Sequence, residues 1–193
     1  MKIEIVTERY YGENCYIVYD ENSGKCAVID PASECAFEVL ERLSLIPECV
    51  LLTHGHFDHI GGVNAFLEKY NVPVYIHEDD AELLSDGYKN ASAPLIGESI
   101  TVKTEPEKLG DGDELTIGAL TVTAVHTPGH TRGCVCYFCG DAVFTGDTVF
   151  AFDRGRTDLY GGDEETIINS IRGLLPLLRG KTIYPGHGQS RTF

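Results

Sequence analysis

Thr53-His54-Gly55-His56-Phe57-Asp58-His59-Ile60-Gly61-Gly62 gathers three imidazoles and a carboxylate into one short stretch of backbone. It follows Val50-Leu51-Leu52, an apolar run of buried-strand type, and it precedes Ile60, Val63, Leu67 and Tyr70, which recur at helical spacing. The histidines therefore stand at the carboxyl end of a strand, where open sheets place their sites. In extended backbone, residues two apart face the same side, so His54 and His56 can grip one ion together. Asp58 and His59, where the chain turns toward the helix, can address a second ion beside it. Imidazole nitrogen and carboxylate oxygen suit borderline cations such as Zn2+, and a catalytic site of this kind keeps a position open for water.

Upstream, Ile3–Val6, Tyr16–Tyr19 and Cys26–Ile29 read as short strands joined by turns at Gly12-Glu13-Asn14 and Asn22-Ser23-Gly24. After Asp30-Pro31 the spacing of Phe37, Leu40 and Leu43 predicts a helix ending before Pro47, with Ser33 and Glu34 where a cap and a first-turn acid belong. Downstream, Val74–Ile76 is a further strand, and the Gly-, Ser-, Asn- and Pro-rich stretch from Ser85 to Ser99 is expected to be a loop that borders the site as a lid. Leu115–Ile117, Leu120–Val125, Cys134–Phe138 and Ala142–Thr145 predict an antiparallel meander. Ile167, Ile171, Leu174, Leu175 and Leu178 mark one face of a last helix, begun by Asp163, Glu164 and Glu165, before a final strand at Thr182–Tyr184. Strands and helices in two similar halves predict two sheets packed face to face with helices outside.

Three later junctions repeat the chemistry of the first. His130 follows Thr127-Pro128-Gly129, Asp147 follows Phe144-Thr145-Gly146, and His187 follows Pro185-Gly186. Each lies just past a strand and beside a glycine, so five of the seven histidines fall at three glycine-flanked junctions with two aspartates interleaved. A lone histidine at a strand end is ordinarily a hydrogen-bonding group. This clustering favours a metal centre built from His54, His56, Asp58, His59, His130, Asp147 and His187.

Composition narrows the partners. Fifteen Lys and Arg against thirty Asp and Glu give a formal net charge of −15, which opposes attraction to nucleic acid or to anionic membrane surfaces. The amino-terminal segment Met1-Lys2-Ile3-Glu4-Ile5 lacks the apolar core of a signal peptide, and no stretch is long enough to span a bilayer. Seven scattered cysteines suit a reducing compartment, so a cytoplasmic protein forming one domain over residues 1–193 is expected. The oligomeric state is not written in the sequence.

The decamer resembles the signature of the metallo-β-lactamase superfamily. His126-Thr127-Pro128-Gly129-His130-Thr131, Phe144-Thr145-Gly146-Asp147-Thr148 and Tyr184-Pro185-Gly186-His187 are similar to its later motifs, in the same order over nearly the whole chain. The resemblance is to the glyoxalase II (hydroxyacylglutathione hydrolase) branch, and it implies a four-layer αββα sandwich of the α/β class. It further implies that His54, His56 and His130 hold one divalent ion, that Asp58, His59 and His187 hold another, and that Asp147 bridges them. Two zinc ions are implied first, with iron or manganese as alternatives. A hydroxide shared by the ions would attack the carbonyl of a small thioester, such as an S-2-hydroxyacylglutathione, or of an ester, with Asp58 orienting it.

Departures from that pattern lie on the substrate side. Typical glyoxalase II enzymes add a carboxy-terminal helical domain that contacts glutathione, and they carry Glu-Tyr after the last ligand. Here Gly188-Gln189 follows His187 and no such domain is expected, so the substrate-binding residues stay unassigned. The bridging aspartate argues against antibiotic hydrolysis, since β-lactamases of the superfamily generally lack it. Gly155-Arg156-Thr157-Asp158 and Cys134 resemble mononuclear-iron persulfide dioxygenases of the same fold, and a lactonase is a further alternative. Outside catalysis, a metal-stabilised binding protein fits the same ligands.

Other groups receive plainer assignments. Arg156 and Asp158 are either a pair supporting the metal site or a loop salt bridge. His126 is excluded as a ligand, and His77 caps the acidic segment Glu78-Asp79-Asp80. Cys134 and Cys136 are expected to share a strand face, with Cys139 pointing elsewhere, and all seven cysteines are expected to behave as small hydrophobes.

Overall fold

The computed structural model describes residues 1–193. The first half builds a six-stranded sheet in chain order: β1 (Lys2–Thr7), β2 (Asn14–Tyr19), β3 (Lys25–Ile29), then β4 (Ile46–Leu51), β5 (Val74–His77) and β6 (Glu107–Leu109). β1, β2 and β3 pair antiparallel through tight turns, while β3 to β6 pair parallel because helical crossovers separate them. Those crossovers are α1 (Ala36–Arg42), α2 (Phe57–Ile60) with α3 (Val63–Tyr70), and α4 (Ser92–Ile96) preceded by a 3-10 helix at Glu78–Ser85.

The second sheet runs β7 (Glu114–Ile117), β8 (Leu120–His126), β9 (Val135–Cys139), β10 (Ala142–Gly146), β11 (Thr182–Pro185) and β12 (Arg191–Thr192). β7 to β10 form the expected antiparallel meander. β11 instead joins β10 in parallel, after a crossover through α5 (Glu164–Leu174) and the 3-10 turn Leu175–Leu178.

Alternation along the strands divides the core into layers. Tyr16, Val18, Ala27, Ile29, Val135, Tyr137 and Phe144 interdigitate between the two sheets. On the outer face of the first sheet, Val28, Val50 and Ile76 pack against Leu40, Ile60 and Phe66 of the helices. On the outer face of the second, Cys136, Val143 and Ile183 receive Leu174 and Leu178. The molecule is thus the αββα sandwich of the metallo-β-lactamase fold. Cys136 and Cys139 lie on opposite faces of β9 as expected, and six of the seven free cysteines are buried, Cys35 being half-buried.

Several local expectations are corrected. α1 ends at Arg42, before Pro47 as expected, but the strand that follows begins at Ile46 and not at Val50, with Pro47 beside a register shift between β3 and β4, a place where strands tolerate proline. Ser33 does not cap α1; its Oγ accepts the Cys35 N–H, and Cys35 occupies the cap position without a side-chain bond. The helix after the histidines is broken at Gly61-Gly62, where a Cβ would lie 2.5 Å from the carbonyls of Ala32 and Ser33, so the chain can pass there only without a side chain. The stretch from Ser85 to Ser99 is not a free lid: it holds α4, and the buried Asn90 side chain donates to Leu83 O and Ile100 O. It does border the site, through Ala91 and Leu95. Asp163 caps α5 by accepting the Thr166 N–H at 2.7 Å. β6 and β12 have no counterpart in the sequence reading.

Candidate metal centre

β4 ends at one edge of its sheet, and β8, β10 and β11, which run parallel to one another, end at the same edge of theirs. Among the bonds that join the sheets there are Val135 N–H to Thr53 O at 2.9 Å, Tyr137 O–H to Leu52 O at 2.8 Å and Tyr16 O–H to Pro185 O at 2.6 Å. All seven residues expected from the sequence converge on this edge. His54 and His56 leave β4, Asp58 and His59 lie on α2, His130 comes from the β8–β9 loop, Asp147 follows β10 and His187 follows β11.

They fall into overlapping groups. His54, His56 and His130 bring ligand atoms within 4.8 Å of one another, as do Asp58, His59 and His187, and as do His54, His59 and Asp147. Asp147 stands between the first two groups, with Oδ1 3.5 Å from His59 Nε2 and Oδ2 3.5 Å from His130 Nε2 and 3.8 Å from His187 Nε2. Asp58 Oδ2 lies 3.3 Å from His187 Nε2, and His56 Nδ1 lies 2.9 Å from His130 Nε2.

Outer hydrogen bonds turn the rings. His130 Nδ1 donates to Arg156 O at 2.7 Å, which leaves Nε2 with its lone pair facing inward. Asp30 Oδ2 accepts from His59 Nδ1 at 3.0 Å and from Thr53 Oγ1 at 2.6 Å, and Thr53 Oγ1 in turn accepts from His54 Nδ1 at 3.1 Å. His54 Nε2, His56 Nε2, His59 Nε2 and Asp147 Oδ1 are nevertheless buried without a partner. Four orphaned polar atoms in one buried cluster is a costly arrangement in a folded protein unless a cation completes it. The donor set, imidazole and carboxylate with no thiolate, fits a divalent ion of borderline hardness.

Charge divides the cluster in two. Burial, reinforced by neighbouring imidazoles, holds His54 well below its ordinary range and His56 at about 3, so both are neutral. Burial would lower His59 too, but Asp30, Asp58 and Asp147 hold it well above. His187 is likewise raised against its burial by Asp58 and Asp147. Burial works against ionisation of Asp147, yet the surrounding imidazoles hold it well below the usual carboxylate range.

Three carboxylates of this region were not singled out in the sequence. Asp30, at φ 49°, holds the Thr53 N–H at 2.7 Å as well as the two bonds above. Asp80 accepts from the loops that bear His56 and His130. Glu13 is fully buried with no hydrogen-bond partner, 4.0 Å from His59 Nδ1, and burial pushes its carboxyl well up. A signal for Asp30 was present, since Asp-Pro at the end of a strand parallel to the histidine-bearing strand must lie beside it. His77 and His126 stay apart from the cluster. His77 Nδ1 accepts the Asp79 N–H as a cap, and the ring of His126 stacks on it at 3.9 Å. The Arg156 side chain is an exposed loop pair with Asp158, at 2.6 and 2.7 Å, while its backbone carbonyl supports His130.

An αββα sandwich with such a cluster at one edge is the architecture of a metallo-hydrolase. Residues 10–187 match the family described as Metallo-beta-lactamase superfamily, and the chain belongs to that superfamily. It is 32% identical to a hydroxyacylglutathione hydrolase, GloC, of Haemophilus influenzae, covering 100% of this chain and 93% of that one. The solved structure of the BLEG-1 B3 metallo-beta-lactamase superposes with a TM-score of 0.93 at 35% identity, covering 99% of this chain and 94% of the other. That of TTHA1623 in a di-iron-bound form superposes at 0.82 with 34% identity, covering 98% and 94%. No helix is long and apolar enough to cross a membrane.

Proposed function

We propose that this protein is a dinuclear metallo-hydrolase acting on a small thioester or ester of the hydroxyacylglutathione kind. In this proposal His54, His56 and His130 hold one ion, Asp58, His59 and His187 the other, and Asp147 both. The observation that carries it is the position of Asp147, a single buried carboxylate with Oδ1 toward His59 and Oδ2 toward both His130 and His187, so that it faces both imidazole groups. Bound divalent ions, zinc first with iron or manganese as alternatives, supply an activated water and polarise the substrate carbonyl.

The chain's own groups set what can reach them. A cleft of ≈ 130 Å³ lined by Phe57, Ala91, Leu95, Leu159 and Arg156 opens on His56, Asp58, His130 and Asp147, a volume suited to a short acyl group. A second cleft of ≈ 340 Å³, lined by His187 itself with Phe150, Phe152, Gly188 and Gln189, offers room for the leaving carrier. Asp58, half-buried beside His187, is placed to accept a proton from the attacking water. A net charge of −15 disfavours a highly anionic carrier.

The deciding experiment measures metal content after aerobic and anaerobic purification, then turnover on a panel of acyl-thioesters, lactones and β-lactams. About two ions per chain with thioester turnover lost in Asp58→Ala is the expected result. One iron per chain with oxygen uptake on a persulfide overturns it in favour of a dioxygenase, and β-lactam or lactone turnover alone reassigns the substrate.

Proton release offers a second check. Ligation needs neutral imidazole, the form that burial favours in His54 and His56, whereas the neighbouring carboxylates favour the protonated form of His59 and His187. As pH falls from about 8 to about 6, affinity for one ion should drop more steeply than for the other. Calorimetry in buffers of differing ionisation enthalpy counts the protons, and equal release from both steps would contradict the assignment.

A further inference from the structure

Asp80 is fully buried in the first turn of the 3-10 helix Glu78–Ser85, and no cation is paired with it. Its Oδ2 accepts the Gly55 N–H at 3.0 Å and the Thr131 hydroxyl at 2.7 Å, and its Oδ1 accepts the Gly133 N–H at 2.7 Å. Gly55 lies between His54 and His56, in the loop leaving the first sheet. Thr131 follows His130, in a loop of the second sheet. One carboxylate is thus bonded to both loops that supply the trio, without touching any of the three imidazoles.

The contact is close by construction. A Cβ on Gly55 would meet Leu83 Cβ at 2.5 Å, and one on Gly133 would meet Asp80 N at 2.6 Å and Asp80 Cβ at 2.7 Å. The 3-10 helix can seat against both loops only where neither carries a side chain. Burying a carboxylate is costly, and three neutral donors offset that cost only while both loops stay in place. A ligand set drawn from two sheets has to hold its spacing to within about 0.5 Å, which a shared buried acceptor enforces.

We propose that Asp80 is a positioning residue that fixes the His54–His56 loop against the His130 loop and so sets the affinity of the trio for its ion. The inference rests on the proposal that these imidazoles share a metal. Asn is a poor replacement, because its amide nitrogen would face one of the N–H donors. Thr131 allows a gentler test: Thr131→Val removes the hydroxyl with little change of shape, and Thr131→Ser restores it.

The experiment titrates zinc into metal-free wild type, Asp80→Asn, Thr131→Val and Thr131→Ser against a chromophoric chelator, with circular dichroism to establish folding and cobalt substitution to report the trio's ligand field. The expected result is a loss of about 10–100-fold in affinity for one of two ions in Asp80→Asn and Thr131→Val, with the other ion retained. Thr131→Ser should bind like wild type, and the cobalt spectrum should change only in the two weakened variants. If Asp80→Asn does not fold, Thr131→Val decides. Folded variants that hold both ions with wild-type affinity and an unchanged cobalt spectrum overturn the role of Asp80 alone. A wild type that takes up no ion overturns the metal assignment as well.

Discussion

Asp147→Ala is expected to lower kcat/KM by at least about 10³-fold, roughly 4 kcal/mol of transition-state stabilisation. The effect should exceed that of any single histidine variant, because the Asp147 oxygens face His59, His130 and His187 at 3.5–3.8 Å and no other carboxylate lies between the two imidazole groups. Without it, two cations would repel each other across the cleft with no shared anion, and one should be lost from purified protein. Stability is expected to fall both without and with metal. In the metal-free protein the surrounding imidazoles favour the ionised Asp147 carboxylate despite its burial, so its removal should lower Tm at neutral pH. In the metal-loaded protein the linkage stabilisation from the lost ion disappears and Tm should fall. Thermal melts with and without chelator, beside elemental analysis, check both parts. Full retention of two ions and of turnover would remove Asp147 from the centre.

Asp30→Ala is expected to cost about 3–5 kcal/mol of folding stability, a large share of the 5–15 kcal/mol typical of a domain. The Thr53 N–H, the Thr53 hydroxyl and the His59 Nδ1–H would all lose their buried acceptor. Alanine also adopts the left-handed backbone at φ 49° less readily than aspartate does. Asp30→Asn, which keeps one acceptor oxygen, should recover part of the loss. Urea unfolding of the metal-free variants measures this directly, and a change under about 1 kcal/mol for the alanine variant would show that the three donors find other partners.

The seven candidate ligands were legible because they cluster just past apolar runs, five of them (His54, His56, His130, Asp147 and His187) directly beside a glycine. The layers were legible for a similar reason, since period-2 and period-3.6 segments alternate cleanly. What the sequence hid depends on contacts between distant segments. Asp80 read as one acid in an acidic cap, and only the approach of Gly55 and Gly133 distinguishes it from Asp79, whose side chain is exposed. The split between α2 and α3 required knowing that Ala32 and Ser33 pass over Gly61-Gly62. β6 and β12 are short edge strands whose pairing comes from neighbours and not from their own composition.

The parallel seating of β11 beside β10 bears on the order of events during synthesis. His187 is delivered by a strand that reaches its partner only after the long crossover through α5, a high-separation pairing of the slow kind. A nascent chain with its first sheet formed could offer His54, His56 and His59 to a passing ion, but the ring of ligands would stay open until that last strand docks. Metal uptake would then report completion of the fold, and the fraction of newly made chains resistant to a chelator would trace the arrival of β11.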